Sequence, residues 1–217
     1  HKVAQDFYGE DISLKECMSF DSLVESLLDE TTHIGIMALE NTIAGSIIPN
    51  YALIDKNNLH IIGEEYLNIH HHLMALKGQQ MEDIQEVWSH PMALLQCKEF
   101  FKKYPHIKMV EDVDTAEVAK RIAKNNLKGI SAIAPKIAAD IFGLAVLADD
   151  IQTIKDNATR FVIVQTNELP VDESHNKASI KFQLNHKRGS LAAILNAMSD
   201  CKMNLTKIQS LPVIETP

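Results

Sequence analysis

Two adjacent side chains, Thr159 and Arg160, have the chemistry to bind and act on a small anion. An arginine guanidinium binds a carboxylate through two parallel hydrogen bonds, and a threonine hydroxyl can donate a hydrogen bond to a leaving oxygen atom. Both also have ordinary explanations, because most arginines are exposed and threonine is common in strands. Nearby, Asn157 orients either a ligand or a turn, and Phe161 is better explained by packing.

A second polar group, Glu40 to Thr42, directly follows an apolar run. Residues at the ends of buried strands often lie in the ligand-binding crevice of α/β sheets. Glu40 is a candidate general acid if burial raises its pKa, and an equally good reading is a structurally hydrogen-bonded carboxylate. Asn41 and Thr42 either contact a ligand or cap the following helix.

The three consecutive histidines from His70 to His72 raise the question of a metal. In a strand, His70 and His72 share one face and His71 takes the other. Two imidazoles without an obvious third ligand are a weak zinc signal, so a polar strand end is the better interpretation and we expect no metal. Ser89 and His90 have no visible acid partner, which disfavours serine hydrolase chemistry.

Alternating strand-like and helix-like segments must position these residues. Short apolar runs predict buried strands at 33–39, 130–134 and 161–164, with further extended segments at 59–63 and 67–76. Helical spacing predicts helices over 23–28, after Pro91 and after Asp114, where Glu117 completes a capping pair. Helices between buried strands predict an α/β layered fold with at least partly parallel sheets.

The last fifty residues have a different organisation. A polar stretch, 165–177, predicts a linker. Strict alternation at 178–184 predicts a half-buried strand, helical spacing follows at 191–198, and 204–211 is predicted to be extended. This βαβ unit has little core of its own and is expected to be half of a small domain.

Composition excludes several classes of protein. The 217 residues are 46% apolar and 23% charged, and 21 Lys+Arg against 29 Asp+Glu give a net charge of −8. We therefore expect no nucleic-acid or membrane partner, because both roles require a clustered basic surface or a long apolar span. Three widely spaced cysteines without a Cys-x-x-Cys motif favour a reducing, cytoplasmic setting. Both ends are expected to be truncated.

Four stretches, in content and order, resemble prephenate dehydratase. They are Leu39-Glu40-Asn41-Thr42 with Gly45-Ser46, Ile69-His70-His71, Ser89-His90-Pro91 with Gln96-Cys97, and Asn157-Ala158-Thr159-Arg160-Phe161. The tail resembles an ACT regulatory domain, with Gly189-Ser190-Leu191 at a helix start and a later segment from Leu205 to Pro212. The resemblance covers nearly the whole chain, and its most specific part is the Asn-x-Thr-Arg-Phe motif.

The resemblance implies a two-lobed catalytic region similar to type II periplasmic binding proteins, followed by a partial ACT domain of ferredoxin-like βαβ type. The implied boundaries are 1–166 for the catalytic region, 167–176 for a linker and 177–217 for the ACT part. Within the catalytic region, lobe one takes 1–68 with 157–166, and lobe two takes 69–156.

The implied activity is the cofactor-free conversion of prephenate to phenylpyruvate, water and carbon dioxide in phenylalanine biosynthesis. Relatives are usually homodimers or homotetramers that L-phenylalanine inhibits. The family's Glu-Ser-Arg-Pro effector motif reads Gln209-Ser210-Leu211-Pro212 here, so the response to phenylalanine is open. Arogenate dehydratase and a non-catalytic small-molecule sensor remain alternatives.

The resemblance assigns roles residue by residue. The catalytic candidates are Thr159 and Glu40; the substrate-binding candidates are Arg160, Asn41, Thr42, Phe161, Asn157, His71, Ser89 and Gln96; the effector-binding candidates are Gly189, Ser190, Leu191, Gln209, Ser210, Leu211 and Pro212.

Overall fold

A computed structural model of the protein describes residues 2–171 and 175–211. The chain divides into two compact units, one that ends at Asn167 and one that begins at Glu168. Within the described ranges, no helix combines the length and apolar character needed to cross a membrane.

The first unit contains a four-stranded sheet in the order β2-β1-β9-β3. Its strands are β1 (Gly35–Asn41), β2 (Gly45–Ser46), β3 (His60–Asn68) and β9 (Ala158–Gln165). β9 lies between β1 and β3 and is antiparallel to both. The centre of this sheet therefore comes from the far end of the unit.

Three helices accompany the first sheet, namely α1 (Lys2–Tyr8), α2 (Phe20–Leu28) and α3 (Ile48–Lys56). Apolar side chains of α2 and of β1 and β9 form one core, which includes Val24, Leu27, Met37, Leu39, Val162 and Val164. Gly35 lets α2 approach closely, because a Cβ atom there would lie 2.8 Å from the Leu23 side chain. The expected strands at 33–39 and 161–164 and the expected helix are confirmed, with small shifts at their ends.

A second sheet in the same unit has the order β6-β5-β7-β4-β8. Its strands are β4 (His72–Ala75), β5 (Glu86–Ser89), β6 (Lys108–Glu111), β7 (Ile130–Ala134) and β8 (Ala145–Ala148). β5 is parallel to β6 and β7, whereas β4 is antiparallel to β7 and β8. The predicted α/β class with a partly parallel sheet is confirmed.

The helices of the second sheet are α4 (Pro91–Phe101), α5 (Ala116–Asn125) and α6 (Lys136–Phe142), with a 3₁₀ turn at Met81–Asp83. α4 contributes to one core cluster, and α5 and α6 contribute to another. α4 begins at a proline, as expected, and the His90 ring accepts a hydrogen bond from the Met92 N–H at 3.2 Å. Asp114, two residues before α5, accepts a hydrogen bond from the Glu117 N–H at 2.9 Å, whereas Thr115, which directly precedes the helix, makes no side-chain capping bond.

Two short segments connect the sheets, one between β3 and β4 and one between β8 and β9. They run beside each other, since the Ile69 N–H donates to the Asn157 carbonyl at 2.7 Å and the Ile151 N–H donates to the His71 carbonyl at 2.8 Å. The sequence predicted one continuous extended segment over 67–76. The break between Asn68 and His72 is where the chain leaves one sheet for the other.

The second unit contains the expected helix, α7 (Ser190–Asp200). The strands expected at 178–184 and 204–211 are not present among the described residues, so that part of the prediction is wrong. In a split βαβ unit the two parallel strands do not neighbour each other. Each segment therefore has no adjacent strand here to accept its backbone hydrogen bonds, and side chains such as Ile180 and Phe182 are exposed.

Candidate active site

Asn41, at the end of β1, is the centre of a group of hydrogen-bonded side chains. Its Nδ2 donates to Asn157 Oδ1 at 2.6 Å, to Thr159 Oγ1 at 3.0 Å and, more weakly, to the Ala158 carbonyl at 3.3 Å. These partners follow 116 to 118 residues later in the sequence. They meet because β1 and β9 pair with Asn41 opposite Thr159.

The group continues toward the second sheet through Asn157 and Gln96. Asn157 Nδ2 donates to Gln96 Oε1 at 3.0 Å, and the same oxygen lies 2.8 Å from His71 Nε2. Asn157 is only 1% exposed. We call these five side chains the amide network: Asn41, Thr159, Asn157, Gln96 and His71. It lies where the chain passes between the sheets, and it brings together residues from all four of the separated stretches that the sequence singled out, although Ser89 itself lies outside it.

His71 is 5% exposed, and burial lowers its pKa, although the hydrogen bond to Gln96 partly opposes this shift. Because a carbonyl oxygen of Gln96 faces Nε2, the neutral ring carries its proton on Nε2. The opposite nitrogen, Nδ1, is buried and has no hydrogen-bond partner in the part of the chain that the structure describes. Gln152, which the sequence analysis missed, accepts a hydrogen bond from the His71 N–H at 3.0 Å.

The neighbouring histidines take different partners. His70 Nδ1 lies 2.7 Å from an Asp150 carboxylate oxygen, and His72 Nδ1 lies 3.1 Å from one of Asp149. The histidine run thus forms separate polar contacts at the entrance to β4. Among residues 2–171 and 175–211, no group of three or more His, Cys, Asp or Glu side chains is arranged to hold a metal ion.

Arg160 lies on the face of β9 opposite Thr159, because successive side chains of a strand alternate. Its Nε and Nη2 both lie 2.7 Å from Glu64 Oε2, and its Nη1 lies 3.7 Å from Glu40 Oε1. The Arg160 side chain is 11% exposed. The structure therefore brings Arg160 and Glu40 together, but apart from the amide network.

Glu64 is a further residue that the sequence analysis missed. It lies in β3, one residue beyond the extended segment that the sequence predicted, and its carboxylate is the main partner of Arg160. Two consecutive acidic residues at the end of an apolar run were the available signal. Once β3 is extended to Asn68, period-two alternation places Glu64 and Tyr66 on one face.

Three other candidates, Thr42, Ser89 and Phe161, occupy structural positions. Thr42 Oγ1 accepts from the Ala158 N–H at 3.0 Å and lies 3.3 Å from the Asp156 carbonyl. Ser89 is fully buried and its hydroxyl donates to the Ile133 carbonyl at 2.8 Å, which also separates it from His90 as a catalytic pair. Phe161 lies in β9 opposite Ala38.

The effector candidates lie in the second unit. Gly189 has φ 82° and precedes α7, Ser190 is the first helical residue, and Leu191 is exposed. Gln209 Nε2 donates to the Ser210 carbonyl at 3.0 Å, and Leu211 is exposed. Pro212 lies outside the described residues.

Comparison with known proteins finds relatives whose sequences are similar over most of this chain. Arogenate dehydratase/prephenate dehydratase 2, chloroplastic, of Arabidopsis thaliana is 38% identical over 202 residues, which are 93% of this chain and 53% of the relative. The bifunctional chorismate mutase/prephenate dehydratase of Buchnera aphidicola subsp. Acyrthosiphon pisum is 30% identical over 203 residues, again 93% and 53%. The chain spans about half the length of these relatives.

The solved structure of prephenate dehydratase in complex with L-Phe from Arthrobacter aurescens matches with a TM-score of 0.75 at 25% identity, and the match covers 91% of this chain and 67% of that one. This likeness confirms the two-lobed α/β fold expected for the catalytic region. A family model described as prephenate dehydratase matches residues 1–169. The chain therefore belongs to the prephenate dehydratase family.

Proposed function

We propose that this chain supplies the catalytic region of a lyase that converts prephenate to phenylpyruvate, water and carbon dioxide. One observation carries the proposal beyond family membership. The amide network connects the half-buried Thr159 through hydrogen bonds to the amide side chains of Asn41, Asn157 and Gln96, two of which come from other parts of the chain. Such a site presents neutral hydrogen-bond donors to a substrate.

The reaction requires orientation more than strong acid chemistry. The ring hydroxyl leaves with the electrons of its C–O bond and takes up a proton from solvent to become water. The bond between the ring and the leaving carboxylate breaks, its electrons return to the ring, which becomes aromatic, and carbon dioxide is released. Aromatisation supplies the driving force, so a positioned hydrogen-bond donor at the leaving oxygen is the main need. We assign that role to Thr159. Gln96, whose carbonyl oxygen is already engaged by Asn157 and His71, keeps its NH₂ group for the substrate.

Arg160 is the proposed clamp for the carboxylate that remains on the product. Its guanidinium is held by Glu64, so a substrate carboxylate must share or displace that partner. Glu40, within 3.7 Å of the same guanidinium, is the alternative catalytic group. A nearby guanidinium stabilises an ionised carboxylate, so this contact favours an electrostatic role for Glu40 over proton donation.

Arogenate is the second candidate substrate. It carries an amino group where prephenate has a keto oxygen, and the Arabidopsis relative is named for both activities. The ratio of kcat/KM values for the two substrates decides between them. A non-catalytic sensor, the alternative from another class, would bind the substrate without turnover.

The remaining assignments follow the resemblance. We propose two lobes, 1–68 with 157–166 and 69–156, a linker at 167–176, and a partial ACT domain at 177–217 that responds to an amino acid. The Arthrobacter aurescens relative was solved with L-Phe, which supports that effector class. From the resemblance we also propose a homodimer or homotetramer and a cytoplasmic location. The Arabidopsis relative is named as chloroplastic.

The decisive experiment measures phenylpyruvate formation by the full-length protein and its Thr159→Ala and Arg160→Ala variants. Loss of one donor to a developing negative charge typically costs about 10²–10³ in kcat, and we expect Thr159→Ala to fall in that range. Arg160→Ala should mainly raise KM. Near-normal rates in folded variants would remove both assignments, and absence of turnover in the parent would favour the sensor.

A further inference from the structure

The orientation of the Asn41 amide is fixed by two backbone groups. Its Oδ1 accepts hydrogen bonds from the Ile43 N–H at 3.0 Å and the Ala44 N–H at 2.9 Å. An amide oxygen is the only atom of this side chain that can accept both bonds. The NH₂ group must therefore face the other way, toward Asn157 and Thr159.

This orientation determines what the Thr159 hydroxyl can do. The 3.0 Å contact with Asn41 Nδ2 is a bond in which Thr159 Oγ1 accepts. A hydroxyl has one proton to donate, and Asn41 offers no acceptor on this side, so the proton is directed elsewhere. Accepting one hydrogen bond also polarises the hydroxyl and strengthens it as a donor.

The rest of the amide network keeps Asn41 in this state. Asn157 Oδ1 takes the other N–H of Asn41, and Asn157 can offer its oxygen because its own NH₂ group is engaged by Gln96 Oε1. A flip of either amide would place oxygen against oxygen. Hydrogen bonds are thus donated in one direction, from the backbone N–H groups of the 41–44 turn to the Asn41 amide and from this amide to Thr159.

We propose that Asn41 is a positioning residue, which commits the Thr159 hydroxyl to donating a hydrogen bond to the leaving oxygen of the substrate. This inference rests on the proposed function, since it assumes that Thr159 acts on that oxygen. It differs from the expectation that Asn41 contacts the substrate, because the Asn41 amide atoms are already engaged within the protein.

The test exchanges donor and acceptor in the hydrogen bond between residue 41 and Thr159. In Asn41→Asp, one carboxylate oxygen can still accept from the 43 and 44 N–H groups, while the other presents an acceptor to Thr159. The Thr159 hydroxyl then donates to the aspartate and is lost to the substrate. We expect kcat to fall as far as it does in Thr159→Ala, within about threefold, on the order of 10²-fold, with KM changed much less. Asn41→Ala, which removes the bond without adding charge, provides a second variant if Asn41→Asp does not fold.

A double-mutant cycle separates this role from a general structural or charge effect. If Asn41 acts through Thr159, adding either Asn41 substitution to Thr159→Ala causes no further loss of kcat. If the two losses multiply, the inference is overturned, and normal kcat in Asn41→Asp overturns it as well. Thr159→Ala with full activity would instead remove the role of Thr159 on which this inference rests, whereas absence of turnover in the parent protein would refute the proposed function itself.

Asn50→Ala is the matched control. Asn50 is a buried asparagine that also supports β1, because its Nδ2 donates to the Ala38 carbonyl at 2.7 Å, but it lies outside the amide network. It should lower thermal stability and leave kcat unchanged. A fall in its kcat comparable to that of the Asn41 variants would attribute the Asn41 effect to loss of β1 structure.

Discussion

A single carboxylate oxygen of Glu64, Oε2, accepts a hydrogen bond from Arg160 Nε and forms an ion pair with Nη2 of the same guanidinium, each at 2.7 Å. The residue proposed to hold the substrate carboxylate is therefore occupied by a carboxylate of the protein itself. Glu40 lies on the other side of the same guanidinium, 3.7 Å from Nη1. Two acidic groups thus compete with any anionic substrate for one cation.

Glu64→Gln removes the charged competitor and keeps a neutral acceptor. We expect KM for prephenate to fall severalfold, because a substrate carboxylate gains access to Arg160. The free energy of unfolding should fall by about 1–2 kcal/mol, since a hydrogen-bonded ion pair is replaced by a weaker bond. Steady-state kinetics and denaturant unfolding measure the two effects.

The control for that substitution is Glu65→Gln. Glu65 is the next residue of β3 and points to the opposite face, opposite Phe161 in register. It should leave KM unchanged. A KM in Glu64→Gln that stays the same or rises would contradict the role of Arg160 as a carboxylate clamp.

His71 should make the stability of the folded protein depend on pH in the acidic range. Burial lowers its pKa in the folded state, whereas an unfolded histidine titrates near about 6.5. As the pH falls, the unfolded chain takes up this proton first, so stability is full above about pH 6.5 and is lost as the pH falls toward the lowered folded-state pKa. His71→Gln should reduce the difference between the unfolding free energies measured at about pH 7.5 and about pH 5.5.

An exposed histidine serves as the comparison for His71. His106 lies on the surface, and His106→Gln should preserve the parent's dependence of stability on pH. If His71→Gln preserves it too, the neutral buried form of His71 is the wrong assignment.

The three cysteines should differ in reactivity. Cys97 is fully buried, and burial raises the pKa of its thiol to about 12, so it has almost no thiolate at neutral pH. Cys201 is exposed and Cys17 is half-buried. In the native protein, iodoacetamide should modify Cys201 first and should modify Cys97 only after denaturant is added.

Mass spectrometry of the labelled peptides identifies which cysteine has reacted. Cys201→Ser should remove the fast-reacting fraction and leave the labelling of Cys97 in the denatured protein unchanged. Rapid native labelling of Cys97, which follows Gln96 on α4, would mean that the helix beside the amide network opens readily.

Local pattern was sufficient for the elements with strong periodicity. The strand at Ile130–Ala134 was predicted to the residue, and α4 was located from its proline and its apolar stripe. Alternation along β9 already required that Thr159 and Arg160 face opposite sides of the sheet. The strand at 178–184 was predicted from alternation alone, which says nothing about whether a neighbouring strand exists.

The amide network was beyond the reach of local pattern. His71 and Gln96 are 25 residues apart, and Asn41 and Thr159 are 118 residues apart. Resemblance put each of these residues among the candidates, but only the pairing of β1 with β9 brings them within hydrogen-bond distance. Glu64 was missed because its importance comes from Arg160 on the neighbouring strand and not from its own surroundings in the sequence.

The central position of β9 also has a consequence for the order of folding. β1 and β3 each pair with β9, so the first sheet has no hydrogen-bonded centre until residues 158–165 have left the ribosome. The second sheet is contiguous in the chain and is complete by Ala148. During synthesis the second sheet can therefore form early, while β1 and β3 each lack the strand that pairs with both of them. Any chaperone that assists this protein has most to protect in that interval, before the segment that carries Thr159 closes the sheet.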